Sequence, residues 1–435
     1  MPRVCAPLVA CLAWLIAAAA IGQQLPQAWI DESNAAMRRH RTAPLRVVVL
    51  NAEGSPVPGA VVQATQTGHD LPLGFVADRS GLDGLPLDAP VYRHFNTVSL
   101  DRLVAWPDAH PRRNAEHPML AARRVAHQAR QAGLAIRLGP VASQDPAHNP
   151  DWVVDLPPAD LAAALLHRTD AVLDELVAAA PGTQVDLLAD GLSHQSLTRA
   201  LGPQVRRLLF DHARAAAPRA RLAVRFANAL TGHRRTRLPD AVAALREDFI
   251  DADLIALEEH IKTPLQRAPL QRAVDAIDSL GYGLTLASLD VGGPTPEAAA
   301  YQLELLLRTL VPSPACAGVV FNTVVTPLPD APRVPGRPAP LENAGLIDTA
   351  GQLTPAGRVV EHLFGEQWRS DEFAVTDAEL AAANLTLFAG TYTLTVMLPP
   401  TDAHPEGQTF TYPLHLPAST QTRLAVVQPL RVTTD

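Results

Sequence analysis

Carboxyl, hydroxyl and imidazole groups stand at the ends of several apolar runs in this chain. QVDLLAD closes on Asp190, LIALEEH on Glu258, Glu259 and His260, and GLTLASLDV carries Ser288 and Asp290. Carboxyl and imidazole groups gathered at strand ends suit general acid–base work, in which one group gives a proton and another takes one. Asn96, Asp101, Trp106, Arg137, Arg225, Asn228 and Asn322 end neighbouring runs and extend the set into a polar rim suited to a hydroxyl-rich ligand. Solvated loop groups are the plain alternative for each of them. A Ser288–His260–Asp290 relay can be drawn, but the G-x-S-x-G elbow that exposes such a serine is missing. No HExxH or closely spaced His/carboxylate ligand set occurs, so neither a metal nor another cofactor is expected. Asp290 also reads as an N-terminal cap for the helix after its strand, and that reading is the favoured one.

These groups need elements to hold them. Short apolar strands are expected at residues 72–77, 94–100, 134–140, 184–190, 221–227, 254–260, 283–289 and 318–324. Between them lie stretches such as DLAAALLHRTDAVLDELVAAA, whose apolar residues recur at helical spacing. Eight such β/α repeats predict an α/β fold closed into a (β/α)8 TIM barrel, with reactive groups at the C-terminal ends of the strands. Alternation along the sixth strand sends one of Glu258 and Glu259 into the barrel mouth and the other toward the helices. A small N-terminal β element is expected over 23–70, the barrel over 71–368 with a Pro-rich loop at 328–340, a linker over 369–380 and a small C-terminal β-sandwich over 381–435.

Composition narrows the partners. The 435 residues carry a net charge of −8 with Lys262 as the sole lysine, and no basic run is interleaved with aromatics, so nucleic acid is not an expected partner. Residues 1–22 combine Arg3, an apolar core and the small-x-small Ala20-Ile21-Gly22, which reads as a secretory signal. The expected location is therefore secreted, periplasmic or at the cell surface, without stable membrane insertion once the signal is cleaved. Cys5 and Cys11 would leave with it, and Cys316 alone cannot form an intrachain disulfide.

From about residue 41 to 368 the chain resembles glycoside hydrolase family 10, the xylanase-like retaining barrels. PVPGAVVQATQTGHDLPLGFVA is similar to that family's lead-in to the first strand, FNTVSLDRLVAW to "FN.v..EN..KW", and DADLIALEEHI to "iDgIGlQgHi". GLAIRLGP, PRARLAVRFAN, LTLASLDV and the closing GLIDTAGQLTPAGRVVEHLFGEQW follow in family order. The resemblance implies a barrel acting on a β-1,4-linked polysaccharide such as xylan. It places the acid/base at Asp190, the nucleophile at Ser288 and sugar contacts at Asp101, Trp106, Arg137, Asn228, Glu258, His260 and Asn322, with Glu258 turned inward.

The same comparison shows what has changed. The family's "WDVVNE" reads VDLLAD, and the glutamate of "TELDV" is Ser288. A serine hydroxyl attacks poorly without a base, and an aspartate is one methylene short of a glutamate. Three readings follow from these residues: a carbohydrate-binding pseudoenzyme; an active, divergent xylanase-type hydrolase with Glu258 as a relocated carboxylate; or a non-catalytic surface interaction protein. Trp106 and Trp152 are open between sugar-stacking platforms and core packing. Trp368 is expected in the core.

Overall fold

The computed structural model describes residues 25–79, 81–82, 85–113, 119–177, 182–189, 192, 194–231, 235–326, 341–402, 404–428 and 431–434, the last four by backbone alone. The signal segment, the loop at 328–340 and Asp190 lie outside the described residues. Two compact units are present, one formed by Pro72–Val311 and Ala315–Glu361, the other by Ala28–Leu71, Pro312–Pro314 and His362–Asp435.

The first unit is a closed parallel barrel. Its strands are Leu73–Val76, Thr97–Ser99, Ala135–Leu138, Gln184–Ala189, Arg221–Ala227, Leu254–Ile261, Gly283–Val291 and Cys316–Phe321, called strands one to eight below. Each pairs in parallel with the next, and strand eight pairs with strand one. Parallel strands covered by helices are buried on both faces, so they are written as continuous apolar runs. LIAL in strand six and LTLA in strand seven are buried throughout.

Gly139 follows strand three with φ +119, and a Cβ there would stand 2.5 Å from the Asp186 carbonyl oxygen. That close approach brings Arg137 beside Asp186. Gly139→Ala is expected to destabilise the barrel by more than about 1 kcal/mol, measured by urea unfolding, because its conformation excludes an L side chain.

The second unit corrects the expected organisation. The N-terminal β element is not separate: Thr42–Val49 lies between Ala382–Phe388 and Arg423–Gln428, and Val61–His69 lies between Asp371–Val375 and Gly390–Leu398. Two four-stranded sheets result, built from both ends of the chain. Strands of alternating burial have one apolar face each, and those after residue 381 complete their sheets with the N-terminal pair. Leu45, Val47, Val62, Leu385, Leu394 and Leu414 fill the core between the sheets.

The expected linker over 369–380 contains the strand Asp371–Val375, so it belongs to this sandwich. Gln27–Arg41, expected within the β element, is a helix that buries Trp29 and Met37. Trp368 is a core residue as expected, but of this unit: it packs edge-to-face on Phe364, and its Nε1 donates to Asn34 Oδ1 at 3.2 Å. The barrel unit therefore ends at Glu361 and not at residue 368. No helix among the described residues is long and apolar enough to cross a membrane.

Candidate functional site

Side chains from seven barrel strands, or from the residues just past them, join one hydrogen-bonded circuit. Asp101, just past strand two, accepts from Ser99 Oγ at 2.6 Å and from Arg225 Nη2 of strand five at 2.6 Å. Arg137 of strand three lies 3.5 Å from Asp101 and donates to Asp186 of strand four, which also accepts from Arg225 Nε. Arg225 Nη1 reaches Glu258 of strand six at 3.3 Å, and Glu258 Oε1 lies 3.3 Å from His260 Nε2. His260 Nδ1 meets Asp290 of strand seven at 3.0 Å, and Asn322, just past strand eight, donates to Asp290 at 2.6 Å. Arg102, next to Asp101 in sequence, donates to Asn322 Oδ1 at 2.8 Å and returns the circuit to its start.

Charge in this ring is nearly all internal. Burial alone would push Arg225 down, but the carboxylates of Asp101, Asp186 and Glu258 hold it above its ordinary value. Burial also opposes charge on Glu258 and His260, yet the hydrogen bonds between them, with Arg225 and Asp290 on either side, lower Glu258 to about 2 and raise His260 to about 9. Asp290 is lowered as well, against its burial, by His260 and Asn322. At neutral pH Glu258 and Asp290 are therefore carboxylates flanking an imidazolium. Solvent reaches Glu258, whose side chain is 30% exposed, whereas Asp101, Asp186 and Asp290 are at 9% or less.

Glu259 turns the other way. Its Oε1 accepts from the backbone N–H groups of Ala229 and Leu230 at 2.7 and 2.9 Å, and burial raises it to about 8. This pins the loop carrying Asn228, whose φ of +50 is one that asparagine tolerates. Asn228 Oδ1 in turn accepts from His260 N at 3.3 Å.

The structure gathers Asp101, Arg137, Glu258, His260 and Asn322 into the ring and sets Asn228 behind it. Ser288 is buried on strand seven, in register with Glu258. Both nitrogens of His260 are committed to carboxylates, so the drawn Ser288–His260–Asp290 relay has no ring nitrogen left to act as a base. The cap reading of Asp290 is also overturned. Thr295 Oγ1 caps the following helix, Pro296–Leu310, while Asp290 faces His260.

Trp106 is 2% exposed and packs edge-to-face on half-buried Trp152 at 6.0 Å, apart from the ring. Asp186 also belongs to the ring, and its signal in the sequence is an acid inside the apolar run VDLLA. A cleft of about 210 Å³ opens by strands one and eight, lined by Phe75, Asp78, Tyr92, Arg102 and Asn322 among others.

No protein-family model and no curated protein matches the chain. Solved structures do. Xylanase 10B from Thermotoga petrophila RKU-1, in complex with xylobiose, aligns with a TM-score of 0.60 at 16% identity, over 68% of this chain and 95% of that one. TsXylA, an intracellular xylanase from Thermoanaerobacterium saccharolyticum JW/SL-YS485, aligns at 0.55 and 19% identity, covering 67% and 95%. A psychrophilic glycoside hydrolase family 10 endo-β-1,4-xylanase gives 0.55 at 14%, covering 67% and 96%. The chain thus shares the barrel fold of family 10 xylanases, at identities where fold is what the likeness shows.

Proposed function

We propose that this is an exported barrel protein that binds a β-1,4-linked polysaccharide such as xylan and does not cleave it by double displacement. One observation carries the reading. Where a retaining enzyme needs an attacking carboxylate, strand seven carries Ser288, and the nearby partly exposed carboxylate, Glu258, is tied to Arg225 and His260. Retention requires two carboxyl groups about 5 to 5.5 Å apart, one of them protonated and facing the glycosidic oxygen. Glu258 and Asp290 are held as anions, Glu259, raised to about 8, faces away, and Asp101, raised by burial, has its two oxygens taken by Ser99 and Arg225, so these four offer no such acid. The polysaccharide class rests on the fold shared with xylanases, and export rests on residues 1–22.

A second reading is favoured by Glu258 itself: ionised, solvent-reached and hydrogen-bonded to a histidine, it is the described group best placed to serve as a relocated carboxylate. Incubation with xylan and mixed-linkage glucan, followed by a reducing-end assay and affinity electrophoresis in the same polymers, separates the two. The expected result is retarded migration in xylan with no release of reducing ends. Turnover abolished by Glu258→Gln would establish the hydrolase reading instead. Absence of both retardation and turnover would remove carbohydrate from the account and leave the interaction protein.

A further inference from the structure

A second cavity, of about 320 Å³, shares no residue with the ring. Trp106 and His110 reach it from the segment after strand two, Trp152 from the segment after strand three, and Asp160, His167 and Arg168 from the helix Pro158–Val172. Among the described residues Arg113 adds to its polar lining, with Leu156, Ala163 and Ala164 as apolar wall.

Arg168 is the anomaly. It is 2% exposed, and among the described residues the one carboxylate whose field reaches it, Glu175, is not ion-paired with it. Its Nη2 donates to the Val104 carbonyl oxygen, its Nη1 lies 3.3 Å from His110 Nδ1 and 3.5 Å from Met119 Sδ, and its buried Nε has no partner among the described residues. Burial lowers it to about 10, so the guanidinium is still charged at neutral pH. Glu175, whose field reaches it, is bound to Arg123 at 2.6 Å. Buried cations are ordinarily paired, because an uncompensated charge out of water is costly. The described residues supply no counterion, and a cavity adjoins the charge.

The neighbours define what kind of anion fits. A guanidinium only donates, so His110 Nδ1 accepts, and the neutral ring keeps Nε2–H as a donor. Burial first, then Arg168 and His167, hold His110 below its ordinary value, in agreement with that tautomer. Trp152 supplies a flat apolar face against which the C–H face of a sugar ring packs. Arg113, His167 and Asp160 are exposed at the rim. The volume is at the small end of ligand pockets, enough for one ring and not for a chain.

We propose that this cavity binds a sugar acid of the uronate type. Its carboxylate pairs with Arg168 and Arg113, its ring lies on Trp152, and its hydroxyls meet Asp160 and His110. The proposal is independent of what the barrel mouth does.

Calorimetric titration of the full chain with sodium glucuronate, glucose, sodium benzoate and sodium phosphate tests it. Glucuronate is expected to bind saturably, at least about tenfold more tightly than the other three, with affinity falling as salt rises. Arg113→Ala, an exposed change that leaves the fold alone, should weaken glucuronate about tenfold while leaving retardation in unsubstituted xylan as it was. Arg168→Met should abolish glucuronate binding, with a thermal melt to show that the variant is folded. Glucose, phosphate or benzoate binding as well as glucuronate, or an unchanged Arg113→Ala titration, overturns the proposal. Stronger retardation in glucuronoxylan than in plain xylan would identify the uronate as a branch on a polymer, and equal retardation as a free sugar acid.

Discussion

Replacing Asp186 by asparagine is expected to cost about 3 to 5 kcal/mol of stability and to lower the barrel's melting temperature by roughly 10 °C. Asp186 is fully buried, and each of its oxygens receives an arginine: Arg137 on one, Arg225 on the other. Asparagine keeps the volume, removes the charge and turns an amide N–H2 toward a guanidinium. Two buried arginines would then share Asp101, with Glu258 near one of them, and a buried charge left short of a partner is what makes breaking such a cluster costly. The exposed pair Arg207–Asp211, with both side chains more than half in solvent, is the control, and its removal should cost less than about 1 kcal/mol. Differential scanning calorimetry of both variants checks the contrast. An Asp186→Asn protein melting within about 2 °C of the parent would mean that the cluster is not a structural keystone, and that its charges are available to a ligand.

The barrel was legible because its grammar is local. Each strand is an apolar run flanked by helical periodicity, and every expected span overlaps its observed strand. The ends drift by a residue or two: strand seven runs on through Asp290–Val291, past the apolar run, and strand six ends one residue later than expected, at Ile261. The sandwich was less legible. Its strands alternate clearly, but nothing in Thr42–Val49 announces a partner as distant in sequence as Ala382–Phe388.

The site divides in the same way. Strand ends located Glu258, His260 and Asn322, whereas the ring depends on how far Arg225 reaches across the mouth, which no spacing encodes. Asp290 shows how a local signal misleads. An aspartate before a helix is a good cap, but Thr295 stands closer to that helix and takes the role, which leaves Asp290 for the histidine.

The alkaline side of the stability profile should be governed by Glu259 and His260. Glu259 stands at about 8 in the folded protein against an ordinary 4.5, so the folded state keeps a proton that the unfolded chain releases. Stability must therefore fall as pH rises from about 4.5 to about 8. His260, raised to about 9 from 6.5, adds a contribution fully present below 6.5 and lost as pH rises through 9. Glu258, lowered to about 2, works on the other side, with a contribution present above 4.5 and lost as pH falls through 2.

The three shifts together place maximal stability in mildly acidic solution. Glu259→Gln isolates one of them. Glutamine keeps the oxygen that accepts from Ala229 and Leu230 and cannot ionise, so the variant should match the parent below about pH 4 and exceed it at pH 9. Between pH 6 and 9 the parent should lose about 3 kcal/mol more than the variant, read from urea unfolding at each pH. Because Glu259 pins the loop that presents Asn228 to His260, the same series should show polysaccharide retardation persisting to higher pH in the variant. Parallel stability profiles for the two proteins would show that Glu259 is already ionised at neutral pH, held there by its two backbone donors.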